Sequence, residues 1–512
     1  MKKEWVKMNL ASSIKDKTKV IRNDKALVIF SFLFFLLMML FNLTNSALWG
    51  DELVEYYYSQ KAIQTGELYN AIIYTYQPPL YNFIMHFWLK ISGSLFWFRF
   101  FNVILGTISF WFLYSTLKNL VGCRKACVSS IILAVCYQWI YCIQECSEYA
   151  LMLCALFMTL YFYVMCLECF SYAKMIGFVL SCVMAVYSQY GAVFVIVPLL
   201  CLFFCKIIFG NEHSQKRKMI IIAVYIFSFF AFALPLYIFF AKIQIKHHAI
   251  AENSIQFTAD LLKDIPFIIG KIFAWFFNVN DVDTASIIFG IFGLIFLSII
   301  INCLICKSEN WIKRSLLLCM LITYVMHYVL VELHIYAMVH PGQSSGFYCR
   351  YSYFYIPLMA IVVPIIYDQL EKSLNKYQIL RLACVLLTGT VLFVSFIGTV
   401  QNWHKSYVDQ ISKFWLDNKG WEDATYLFGD VSHWGISFYA GGSSKCPDNC
   451  LDKVYESVDN DILPDRFWAW ANDWKTDGWE VTVDRAKELG YVVEIYANYG
   501  DKGKLSFCHK NN

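Results

Sequence analysis

The chain has 512 residues, of which 59% are hydrophobic, 18% aromatic and only 16% charged. A mean hydropathy of +0.50 and several apolar runs of about twenty residues exclude a soluble globular protein, which would be about a quarter charged. The net charge of +4 comes from scattered Lys and Arg, so no nucleic-acid partner is expected.

In chain order, residues 1–25 form a polar, basic tail. The apolar run that follows, 26–44, is too long for the core of a signal peptide and reads as an uncleaved first helix. Eleven spans are predicted, at 26–44, 98–117, 126–143, 149–168, 174–189, 191–209, 219–241, 285–306, 315–332, 351–369 and 382–400. With the N-terminus inside, the inner segments hold 22 Lys and Arg, and the outer segments before residue 400 hold eight. That asymmetry obeys the positive-inside rule at every inner turn. Two long external loops result, 45–97 and 242–284. Each contains an apolar piece too short to span, YNFIMHFWLKI (81–91) and FIIGKIFAWFF (267–277), suited to interfacial or re-entrant helices.

From about residue 401 the composition changes to 18 acids against 12 Lys and Arg, with no spanning run. A small external α/β domain is predicted over 401–512. WEDATYLFGD (421–430) and LGYVVEIYANYG (489–500) read as strands, and VTVDRAKEL (481–489) as a strand end passing into a helix. Cys446 and Cys450 flank the turn sequence PDN and are candidates for a disulfide outside the cytoplasm. Sixteen of the 19 cysteines lie before residue 400, mostly in apolar segments, where they behave as small hydrophobes. No paired CxxC spacing predicts a structural zinc site.

Polar motifs cluster at the outer ends of the spans. In GDELVEYYY (50–58), Asp51, Glu52 and Glu55 have no local positive charge. They read either as a helix start, where the dipole favours acids by about 0.3–1 kcal/mol, or as a general base or cation site at the membrane surface. In YTYQPPLYNF (74–83), Pro78 and Pro79 stop a helix, and Tyr76, Gln77 and Tyr81 are expected to face the interfacial zone. In QECSEYAL (144–151), Glu145 and Glu148 read as functional acids near membrane depth or as solvated loop acids. In CRYSYFYIPL (349–358), Arg350 is either a phosphate-binding fork or a snorkelling interface residue. Tyr187 and Tyr190 in YSQYGA are read as belt aromatics.

Taken in order, Asp51-Glu52, QPPLY (77–81), LVGCRKA (120–126), QECSEYAL and CRYSYFYIPL resemble the GT-C glycosyltransferases, in the bacterial branch related to protein O-mannosyltransferases and the lipid A aminoarabinose transferase. The family Arg of the fourth motif is Ser147 here. The resemblance covers residues 26 to about 400 and implies a multi-pass, GT-C-like helical membrane fold in a bacterial plasma membrane, with the N-terminus cytoplasmic and the C-terminal domain outside. It implies a polyprenyl-phosphate sugar as donor and a glycan, lipid or protein acceptor on the outer face, in cell-envelope glycan synthesis. On it, Asp51, Glu52 and Glu145 are the catalytic candidates. Arg350 and Tyr351 bind the donor phosphate. Gln77, Pro78, Pro79, Tyr81, Glu148 and Tyr149 line the substrate groove, and the two short apolar loop pieces line the lipid's way in. Asp51 and Glu52 would hold a divalent cation, Mg or Mn, if one is used. A transporter or lipid-linked sugar flippase and a non-catalytic scaffold remain open, although acids at span ends rather than midpoints favour surface chemistry.

Overall fold

Apolar sequence in runs of this length must satisfy its own backbone, and helices result. The computed structural model describes residues 24–44, 47–48, 50–73, 77–211, 214–248, 282–305, 310–333, 352–374, five positions between 389 and 397, 427–428, 465–472, 476–499 and 503–510. The segment FIIGKIFAWFF, Arg350, Tyr351, most of the predicted span 382–400 and the Cys446–Cys450 pair lie outside the described residues.

The chain divides into two compact units. The first comprises Met1–Phe41, Ile73–Tyr81 and Phe100–Asn402. Among the described residues, five helices are long and apolar enough to cross a membrane: Leu95–Val121, Glu148–Glu168, Tyr190–Phe209, Gln215–Lys246 and Trp311–Leu330. The first helix runs over 24–40 and stops short of the predicted end at 44. Asn42 takes φ 58°, a left-handed conformation that Asn tolerates and that ends a helix.

The predicted span 126–143 is broken. It consists of Cys123–Ala134 and Tyr137–Gln144, bent by 67°, because Val135 and Cys136 leave the helical register and Cys136 is extended. Hydrophobic periodicity is blind to a break flanked by apolar residues on both sides. Tyr172–Ser188 returns against Glu148–Glu168 after a three-residue link, with Ser171 capping the new helix through the Lys174 N–H. A Cβ at Gly106 would collide with the Met39 sulfur, so the first helix approaches Leu95–Val121 closely there.

Segments assigned to one side by charge do meet. Lys125 binds Asp368 at 2.6 Å and Glu371 at 2.7 Å, and Lys313 binds Asp368 at 3.0 Å. This network joins helices Cys123–Ala134, Trp311–Glu332 and Tyr355–Leu374 at their charged ends.

The second unit comprises Asn42–Ile72, Asn82–Arg99 and Trp403–Asn512. Its first part holds helix Gly50–Thr65 and most of helix Leu80–Trp88, the latter where a short apolar helix is expected. Trp88 and Trp97 stack at 4.2 Å and exchange indole-to-carbonyl hydrogen bonds, pinning the turn between them.

The C-terminal part contains β1 (Leu427–Phe428), β2 (Arg466–Asn472), β3 (Tyr491–Asn498) and β4 (Gly503–Lys510), in the order β1-β2-β4-β3. β1 runs parallel to β2, and the other pairs are antiparallel, with Phe467 opposite Cys508. Alternation places Phe467 and Ala469 on one face, against Val483 and Ala486 of helix Thr476–Glu488. Gly490, at φ +84°, closes that helix. VTV (481–483) is helical, not a strand end: Val483 packs on the sheet beside Ala486, and this contact outweighs its strand propensity.

Candidate active site

Within the second unit, the acids of GDELVEYYY open helix Gly50–Thr65. The backbone of Asp51 is in the first turn, where the dipole favours a carboxylate. Glu52 is 1% exposed and forms a two-pronged salt bridge with Arg99, Nε to Oε1 at 2.9 Å and an Nη to Oε2 at 2.7 Å. Arg99 also donates to the carbonyls of Leu43 at 2.9 Å and Ala47 at 3.2 Å. One planar guanidinium therefore ties the helix start to the chain entering it. With both Glu52 oxygens on the Arg99 guanidinium already, Glu52 does not fit a divalent-metal site. Among the described residues no group of three or more His, Cys, Asp and Glu is arranged to hold one.

Glu55 departs from expectation. Its place one turn beyond Asp51 predicts a role mainly in local helix energetics. Instead it is 6% exposed and accepts a hydrogen bond from the Asn82 amide of helix Leu80–Trp88. Burial pushes its carboxyl from 4.5 up to about 7, against the opposing pull of Asn82. On the same helix, His86 is pushed down by burial and by Lys90, with the Ser59 backbone pulling the other way.

Because the folded pKa of Glu55 is raised, the folded state holds a proton that the unfolded chain gives up above about pH 4.5. Stability therefore falls as pH rises from about 4.5 to 7 and levels off above, by up to about 3 kcal/mol. Glu55→Gln abolishes this slope. Asn82 Oδ1, buried without a hydrogen-bond partner among the described residues, offers the new amide an acceptor. Thermal midpoints in detergent at about pH 5.5 and 8 check this; a variant less stable than wild type at the higher pH contradicts it.

Within the first unit the other motifs converge. Tyr81 is fully buried rather than facing the interface, and its hydroxyl donates to Asn102 at 3.5 Å. Asn102 in turn donates to the Glu145 backbone carbonyl. Asn102 thus links the end of QPPLY to the start of QECSEYAL. Gln144 donates to the carbonyls of Met39 and Phe41, both at 2.8 Å, and so caps the first helix. Glu145 sits in extended backbone between helices Tyr137–Gln144 and Glu148–Glu168. Glu145 and Glu148 are both buried, which excludes the solvated-loop reading. Tyr149 packs edge-on against Tyr353 at 5.2 Å, two residues past Tyr351, so this end of the CRYSY motif lies against QECSEY.

Pro78 and Pro79 are buried. The Gln77 carbonyl accepts from the Gln244 amide at 2.9 Å, and Gln244 accepts from the Tyr190 hydroxyl at 2.8 Å. Tyr187 donates to the Phe232 carbonyl at 2.6 Å. These two tyrosines therefore bond to protein rather than serving only as belt aromatics. Sequence reading passed over Arg99, Asn102 and Gln244. A signal existed for the first two: polar residues three apart in an apolar run share a helix face and are rarely idle at membrane depth.

The sequence family described as dolichyl-phosphate-mannose-protein mannosyltransferase matches residues 76–238, a stretch that takes in QPPLY, LVGCRKA and QECSEYAL. No curated protein is significantly similar in sequence. The chain is similar to the crystal structure of ArnT from Cupriavidus metallidurans bound to undecaprenyl phosphate, at 11% identity and a TM-score of 0.44, over 96% of this chain and 98% of that one. It is similar to the Archaeoglobus fulgidus oligosaccharyltransferase in complex with zinc and sulfate, at 12% identity and a TM-score of 0.50, over 93% of this chain and 72% of that one. The same enzyme tethered to an acceptor peptide gives 13% identity and a TM-score of 0.52, over 94% and 74%. At these identities the likeness to the oligosaccharyltransferase is one of fold.

Proposed function

We propose that the chain, a multi-pass helical protein with a GT-C-like fold, is a GT-C glycosyltransferase that moves a sugar from a polyprenyl-phosphate donor to an acceptor on the outer face of a bacterial plasma membrane. The observation that carries this reading is the family match over 76–238, within which QPPLY and QECSEYAL are joined through Asn102. An acceptor hydroxyl attacks the anomeric carbon. The bond from that carbon to the phosphate oxygen breaks, and polyprenyl phosphate leaves with the electron pair, inverting the centre. Asp51 takes the hydroxyl proton as general base. Glu52, held by Arg99, fixes the helix turn that carries Asp51. Arg350 neutralises the phosphate as charge builds on it, and Pro78, Pro79, Tyr81, Glu148 and Tyr149 shape the groove.

The test is sugar transfer by the purified full-length protein in liposomes, from a panel of polyprenyl-phosphate sugars, with mass analysis of the products. Transfer from at least one donor is expected. Failure with every donor, by folded protein, leaves the scaffold and flippase readings. Arg350→Lys keeps the charge but loses the planar fork, so donor KM should rise by about tenfold with turnover less affected. Unchanged kinetics in both Arg350→Lys and Arg350→Ala would remove Arg350 from the phosphate.

A further inference from the structure

Gln244 is 3% exposed near the end of the Gln215–Lys246 span, an expensive place for an amide. Pro235 lies within helix Gln215–Leu236, and a wide π-helical turn follows over Tyr237–Ala241. Such a turn inserts one extra residue and rotates everything after it by about 100°. It therefore decides which way Gln244 faces. Both ends of the amide are used: the oxygen accepts from Tyr190, beside helix Val193–Phe209, and the nitrogen donates to the Gln77 carbonyl. That carbonyl precedes two prolines, which supply no N–H of their own to hold the corner in place.

We propose that Gln244 is a positioning residue for sugar transfer, its amide holding the Gln77–Pro78–Pro79 corner of the donor groove against Tyr190. This rests on the transferase reading above. The corner leads directly into Tyr81 and its bond to Asn102, so a displaced Gln77 carries the groove wall with it. The substitution Gln244→Glu is nearly isosteric. Its carboxylate still accepts from Tyr190 but repels the Gln77 carbonyl. Once protonated, it can again donate. Gln244→Leu keeps the volume and can never donate.

Binding of undecaprenyl phosphate to the full chain in detergent, and amide hydrogen exchange over Leu80–Trp88, decide the matter. At about pH 7.5 both variants should bind about tenfold more weakly than wild type and exchange faster over that helix. At about pH 5.5 Gln244→Glu should recover relative to wild type at the same pH, and Gln244→Leu should not. A purely packing role predicts no such pH-dependent divergence. Wild-type binding with unaltered binding by the variants overturns the proposal and leaves the transferase reading intact. Faster exchange without weaker binding also overturns it, since the corner would then be tethered to no purpose. No binding by wild type overturns the transferase reading and this proposal together.

Discussion

Asp51→Asn should lower turnover by about 10²-fold or more in a protein that still folds. The substitution keeps the size and hydrogen-bonding shape of the side chain and removes the basic oxygen. Asp51 occupies the first turn of helix Gly50–Thr65, where the backbone amide ends favour negative charge by about 0.3–1 kcal/mol. Losing that preference is a small cost in stability, so the large effect should be on the chemical step, with donor and acceptor KM little changed. Glu145→Gln is the internal comparison, because Glu145 is a buried acid at a helix junction of the first unit. Single-turnover transfer by the two variants separates the roles. Near-normal transfer by Asp51→Asn with loss in Glu145→Gln would move the base to Glu145.

Arg99→Met should destabilise the protein by about 3–5 kcal/mol, because it leaves a buried carboxylate without its counter-charge. Glu52 is 1% exposed, and the carbonyls of Leu43 and Ala47 lose their donor in the same step. Arg99→Lys should rescue only part of the loss. An ammonium cannot span a two-pronged carboxylate contact and two carbonyls with the same planar geometry. The double variant Arg99→Met, Glu52→Leu should be much less damaged than Arg99→Met, since paired removal of a buried ion pair is often neutral. Thermal midpoints of wild type, Arg99→Met, Glu52→Leu and the double variant in one detergent close the cycle, with a coupling of about 2 kcal/mol or more expected. Additive losses would mean that the pair contributes no specific interaction.

The sequence by itself determined that this is a multi-pass helical membrane protein. Hydropathy at the length of a bilayer, and helices that must satisfy their own backbone, leave few alternatives. Motif order pointed to the GT-C fold, and the strand at Tyr491–Asn498 was readable from its β-branched and aromatic content. Only the tertiary structure decided what the polar residues do. Glu52 and Glu55 lie three apart in one acidic cluster, yet one meets a guanidinium 47 residues away and the other an amide 27 residues away. Local sequence carries no record of such partners. The break at Val135–Cys136 is apolar on both sides and leaves the hydropathy unchanged. Gln244 sat unnoticed because its direction depends on a π-helical turn, and one extra residue in a turn alters facing without altering composition. Burial, and with it the raised carboxyl of Glu55, is a property of what packs around a side chain, and that is fixed only when distant segments meet.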